Sequence, residues 1–174
     1  MASAYREANF TDFVTYLPAV AEQARARYEE IYEQNRHRVY SLAFWMTDSE
    51  IAAEEVLDST FRRVFATSDA PGPDLIDRSL IASLREFMPL GVLTLNISEV
   101  STVANLRGNV KRVHLERAVV QLPHTERLAF LMHDVERYEH DRIARLLGIN
   151  EEESQFAVHQ ARLRMRELLA EMPK

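Results

Sequence analysis

Cysteine is absent from the 174 residues, so disulfides and thiolate metal sites are excluded. Glycine and proline are scarce, at four and six, which is too few for a β-rich or loop-rich fold. Ala, Leu, Glu and Arg abound instead, and that balance favours helix. No uninterrupted apolar run approaches the roughly 20 residues of a membrane span. The first dozen residues carry no apolar signal core, so the expectation is a soluble, cytoplasmic chain with no membrane partner. An excess of positive charge is also missing: 21 Lys and Arg stand against 27 Asp and Glu, a net charge of −6. The acidity lies in the first 90 residues, with 9 basic against 15 acidic, while the remainder balances at 12 against 12. An acidic half suits a protein surface at least as well as it suits DNA.

Catalytic signatures are missing too. There is no Gly-rich phosphate loop and no nucleophile–base pair, so enzyme function, catalytic residues and cofactors are not expected. The six histidines show no metal-ligand spacing, and no metal site is expected. His133 with Asp134, Glu136 and His140 is the nearest cluster, and it reads as a surface group. Trp45 and its neighbours Tyr40 and Phe44 read as core rather than as a stacking platform.

Hydrophobic residues make up 47% of the chain, enough for a core, and they recur at helical spacing. Tyr28, Ile31, Tyr32, Val39, Leu42, Ala43 and Met46 mark a first helix. Asp48 or Ser49 can cap a second, built on Ile51, Val56, Phe61, Val64 and Phe65 and ending before Ala70-Pro71-Gly72-Pro73. A third runs from Asp74 towards Met88, with Leu75, Ile76, Leu80, Ile81, Leu84 and Phe87 apolar, and Pro89 stops it. Residues 90–109 are β-branched, with poor helical periodicity, and read as an ordered linker with one short element at most. A lone strand there would lack a partner for its hydrogen bonds. Its apolar start, Gly91-Val92-Leu93-Thr94-Leu95, could cover its own protein or a second copy. Helices return at about 110–121, 124–137, 139–147 and 150–170. The expected architecture is all-α: two small helical domains, 1–90 and 113–174, joined by a linker over 91–112.

The C-terminal part carries the clearest local signal. Tyr138 to Leu147 makes a short helix, Gly148 can take the left-handed turn, and Ala144 permits close helix packing. A longer helix follows, with Ser154, Val158, Ala161, Met165, Leu168 and Leu169 on one face. Asn150 can cap it and Glu153 stands at the capping-box position. Short helix, tight turn and longer helix make a helix-turn-helix, whose second helix enters the major groove. An αα-hairpin in an ordinary bundle fits the same pattern.

Leu122-Pro123, Arg127, Ile143-Ala144, Leu147-Gly148-Ile149, Ala161-Arg162 and Arg166 have the spacing of the C-terminal domain of extracytoplasmic-function (ECF) sigma factors, which this region resembles. Tyr28-Glu29-Glu30-Ile31-Tyr32, Arg38-Val39-Tyr40 and the run from Ala53 to Phe61 resemble the first helices of that family's N-terminal domain. The resemblance covers about 25–88 and 113–172, in the family's order. It implies a sigma factor that directs core RNA polymerase to promoter DNA and catalyses nothing itself, with an anti-sigma factor as a further partner. It implies polymerase contacts at Glu54, Glu55, Asp58 and Phe61. It implies DNA contacts at Arg78, Arg85, Arg142, Arg145, Gln155, His159 and Arg162.

Three departures from the family pattern qualify those implications. In the third helix, Ser83 and Leu84 replace the family's Arg and Asn, and only Arg78 and Arg85 remain against Asp74, Asp77 and Glu86. In the recognition helix, three basic family positions have become Gln155, Ala157 and Gln160. That helix also begins with Glu151, Glu152 and Glu153, which complement its dipole but repel phosphate. The second reading left open is a sigma-like interaction protein, a decoy or adaptor, that keeps the fold and has lost promoter recognition.

Overall fold

Helix α1 (Ala4–Thr47) ends where Asp48 takes a left-handed φ of 52°, and Ser49 then caps α2 (Glu50–Thr67) by accepting from the Ala52 amide at 3.3 Å. This computed structural model describes residues 4–98 and 111–172, with side chains described from residue 21 onward. Pro73 opens α3 (Pro73–Leu84) at a position where a proline sacrifices no helical hydrogen bond. The periodic positions meet in one core: Val39, Leu42, Ala43 and Met46 of α1, Val56, Phe61 and Val64 of α2, and Ile76, Leu80, Ile81 and Leu84 of α3. Each such side chain contributes about 1.5–3 kcal/mol on burial. The third helix stops at Leu84 rather than at Met88, and a short turn carries the chain to Pro89.

The second group of helices is α4 (Arg112–Val120), α5 (His124–Phe130) with a π-helical turn at Leu131–Val135, α6 (His140–Leu147) and α7 (Glu151–Glu171). The periodic signal did not distinguish the π turn from a continuing helix. Gly148 adopts φ 75° and closes α6, and Asn150 forms the full capping box with Glu153 at 2.8 Å in each direction. Every regular element among the described residues is helical. None is long and apolar enough to cross a membrane.

The two helix groups pack directly on each other, α1 against α4 and α5, and α3 against α6. Helix ends are tied across this seam by arginines. Arg127, 6% exposed, donates to the last carbonyls of α1, Trp45 O at 3.4 Å and Met46 O at 3.0 Å, and also to Leu122 O and Val120 O. In the opposite direction Arg85 donates to Leu147 O, the end of α6, at 2.9 Å. A cation at a helix C-terminus satisfies orphan carbonyls and complements the dipole.

The linker segment 91–98 is extended, with Gly91, Leu93, Leu95 and Ile97 turned inward and their neighbours exposed. Among the described residues no strand pairs with it, and side chains supply its hydrogen-bond partners. Thr125 Oγ1 accepts from the Gly91 amide at 3.1 Å, and Glu126 Oε1 accepts from the Thr94 and Leu95 amides at 2.6 and 2.7 Å. The Gln160 amide pairs with both backbone groups of Ile97, at 2.5 and 3.2 Å. Gly91 has φ 104°, and a Cβ there would stand 2.9 Å from Leu147 O, so the strap passes too close to α6 for any other residue. The apolar start of the linker therefore covers its own chain.

Candidate functional site

The outward face of the helix-turn-helix is built from α6, the Gly148 turn and the first half of α7. Gln155, Phe156, His159 and Arg162 are exposed along α7, beyond the three glutamates of its first turn. The cations of this face are already engaged with carboxylates. Arg162 grips Asp134 with two nitrogens at 3.0 and 2.5 Å, and this hydrogen-bonded contact raises its pKa further. Arg145 meets Asp141 at 2.7 Å, which lowers the Asp141 pKa. Gln155 lies 3.4 Å from Glu151, and His159 is exposed. Pairs of this kind are weak and yield readily to a stronger anion.

Two of the three positions where basic residues are missing turn out to face inward. Ala157 is fully buried and Gln160 is 3% exposed. Ala157 fills the core beside Val158, and Gln160 holds the strap, so neither is a lost DNA contact. Only Gln155 is a solvent-facing substitution.

On the inner face, Asp77 is the centre of a polar cluster joining the two helix groups. Its side chain is 1% exposed, and its Oδ1 accepts from Arg38 at 2.6 Å and from the Tyr138 hydroxyl at 3.1 Å. Its Oδ2 accepts from Arg142 Nη2 at 2.5 Å. Arg38 also reaches the Tyr138 hydroxyl at 2.6 Å, and the Arg142 guanidinium lies 4.2 Å over the Tyr138 ring. Burial, then the Asp77 charge, pushes the Tyr138 phenol up to about 12. Asp77 raises the pKa of Arg38, although burial opposes it. A buried carboxylate without these donors would be strongly destabilising. Asp77, Tyr138 and Arg38 were not among the expected site residues, yet a signal existed: Asp77 shares the apolar stripe of Leu80, Ile81 and Leu84.

Of the expected DNA contacts, Arg78 is exposed, 3.8 Å from Asp74, while Arg85 and Arg142 are turned to the seam. Glu54, Glu55 and Asp58 form an exposed ridge on α2, with Asp58 paired to Arg62. Phe61, expected beside them, is 4% exposed and packs edge-on against Tyr32, with centroids 4.9 Å apart, so in this conformation its side chain belongs to the core. The aromatic cluster around it, with Tyr28 and Phe65, explains why α2 carries an aromatic there.

His133 and His140 stack with centroids 4.2 Å apart beneath the turn, and His140 Nδ1 lies 3.1 Å from the buried Ser154 hydroxyl. Among the described residues no three His, Cys, Asp or Glu side chains converge to hold a metal.

Residues 112–165, the span from α4 into α7, match the family model for sigma-70, region 4. This part of the chain is similar to sigma-70 region 4, and its short helix, Gly148 turn and capped longer helix have the form of a helix-turn-helix. Most of the chain shares its fold with the sigma factor RpoE of Bartonella quintana, solved in a co-crystal with the anti-sigma factor NepR. The identity is 14% and the TM-score 0.58, over 83% of this chain and 98% of that one. No curated protein matches the sequence.

Proposed function

We propose that this chain is a sigma factor of the ECF type, which directs core RNA polymerase to promoters and catalyses no reaction itself. The observation that carries the reading is the region 4 match, which coincides with the helices that build the Gly148 turn and the capped α7. The fold shared with RpoE extends the reading to the N-terminal helices. Residues 1–90 form the polymerase-docking domain, with Glu54, Glu55 and Asp58 as its acidic contact ridge and Arg78 near the proximal promoter element. Residues 113–174 form the promoter-reading domain and 91–112 the linker. An acidic ridge favours fast association with a basic polymerase surface. Gln155, His159, Arg145 and Arg162 are the groups offered to the distal element. An anti-sigma factor, of the kind found with the RpoE structure, fits as a regulator, and the site of action is the cytoplasm.

Runoff transcription with reconstituted polymerase on genomic fragments tests the reading: a definite start site is expected. Polymerase binding without any start site would support the second reading, a sigma-like adaptor or decoy. That reading is favoured by one feature, the neutralisation of Arg142, Arg145 and Arg162 by Asp77, Asp141 and Asp134.

A further inference from the structure

We propose that Arg142 and Tyr138 form an oxyanion site on the helix-turn-helix, that Asp77 occupies it as an internal stand-in for a DNA phosphate, and that the occupied site latches the chain closed. The inference rests on the promoter-binding reading above. Arg142 stands in the first turn of α6, the first helix of the helix-turn-helix, which in such modules crosses the DNA backbone. Its side chain is only 30% exposed, because Asp77 and, at 3.6 Å, Asp74 of α3 cover it. The fork is only partly used. Nη2 serves Asp77, while Nε is buried and has no hydrogen-bond partner. A guanidinium matches the paired oxygens of a phosphate through two parallel donors. The unused Nε is therefore the donor that Asp77 leaves unmatched and a phosphate can satisfy.

The carboxylate comes from the other helix group, so a phosphate can take its place on Arg142 only when α3 moves away from α6, which also releases Arg85 from Leu147 O. Binding a backbone phosphate at Arg142 and closing the seam are then mutually exclusive. Arg38 stays with Asp77 on opening, since both belong to the N-terminal helices, and continues to neutralise it. The latch is thus released without leaving a lone buried charge.

The absence of native cysteine allows a clean test on the full chain. Ala66→Cys on α2 and Ala170→Cys on α7, both at exposed positions, carry a donor and an acceptor dye. Asp77→Asn is expected to lower energy transfer. It is also expected to tighten binding to a random-sequence duplex of about 30 base pairs, in about 50 mM KCl, by about fivefold or more. Arg142→Gln is expected to open the chain with no gain in DNA binding, because it removes the site itself. Tyr138→Phe keeps both charges and removes only the bridging hydroxyl; it is the fallback for the latch if Asp77→Asn loses helical circular dichroism, with a smaller drop in energy transfer and no gain in DNA binding, because that hydroxyl belongs to the site. Unchanged transfer in the folded variants overturns the latch. Opening of Asp77→Asn without tighter DNA binding overturns Asp77 as a phosphate stand-in. Runoff from the parent chain separates the two ideas. A start site with no opening leaves the sigma reading intact and sinks the latch. Opening and tighter DNA binding without a start site leave the latch intact and sink the promoter reading.

Discussion

The inner seam and the outer face of the C-terminal helices use the same residue types for opposite purposes. On the seam, Arg127 and Arg142 are buried or half-buried, aimed at helix-end carbonyls and at Asp77, and they hold the two helix groups together. On the outer face, Arg145 and Arg162 pair with carboxylates in water, where the pairing is weak and exchangeable. An arginine's contribution is set by what else surrounds it, because desolvation decides whether losing its partner matters. A weakly held cation is available for function as it stands, whereas a strongly held one such as Arg142 serves the architecture until its carboxylate is withdrawn.

The contrast can be broken most sharply at α7, whose two faces lie side by side. Ala157→Arg, placed by family pattern at a basic position, puts a charge and a long side chain into a filled core. It is expected to cost about 4 kcal/mol or more, seen as loss of the folded baseline in urea titration. Retained stability would mean that Ala157 faces solvent after all. Arg127→Ala removes the cation that satisfies the end of α1, leaving buried carbonyls unpaired. A loss of about 3 kcal/mol is expected from the same titration, far above what any outer-face arginine should show.

Gln160→Lys tests whether the inner position behaves as structure. It is expected to lower stability by about 1–2 kcal/mol and to speed hydrogen exchange at the Ile97 amide, with no gain in DNA binding. Faster exchange confined to Ile97 and its neighbours would locate the loss at the strap. The histidine pair gives a smaller effect with a defined sign. Burial first, then the charges of His133 and Arg162, holds the His140 pKa below its ordinary value, against the opposing pull of Glu151 and Glu139. Folding therefore favours the neutral ring. The stability this contributes is present above about pH 6.5 and declines as the pH falls below it towards the folded value. The thermal midpoint should drop between about pH 7.5 and about pH 5.5, and less so in His140→Gln. An equal drop in both chains would assign the effect elsewhere.

The smallest stability effect belongs to the outer face. Gln155→Lys is expected to change stability by less than about 0.5 kcal/mol, yet to strengthen duplex binding and steepen its salt dependence by about one unit of slope. A flat salt response would remove Gln155 from the DNA-facing set.

Much of this fold was legible in the sequence, and the legible parts share a cause. Ser49, Asn150 with Glu153, and Gly148 act on backbone groups within one turn of themselves, so their roles can be read from a few neighbouring letters. The periodic apolar stripes likewise gave the right core in α1–α3. The motifs that resemble the sigma family pointed to the helix-turn-helix for the same reason, since its turn and packing residues are local. The strap was only half legible. Its poor helical periodicity marks it as a linker, but the partners of its backbone groups, Thr125, Glu126 and Gln160, lie more than 30 residues away, where no local pattern reveals them.

The sequence by itself determined where the main helices lie, how α2 and α7 are capped, which helix faces are apolar, and that a tight glycine turn joins the last two helices. Only the tertiary structure decided which side chain meets which. Phe61 was sent to the core by Tyr32, Ala157 by its packed face, and Arg142 to Asp77, 65 residues earlier in the chain. Capping and periodicity are short-range and written in adjacent residues. Burial and charge pairing arise only when distant segments exclude water between them, and that is what separates a DNA-facing arginine from one that holds the fold.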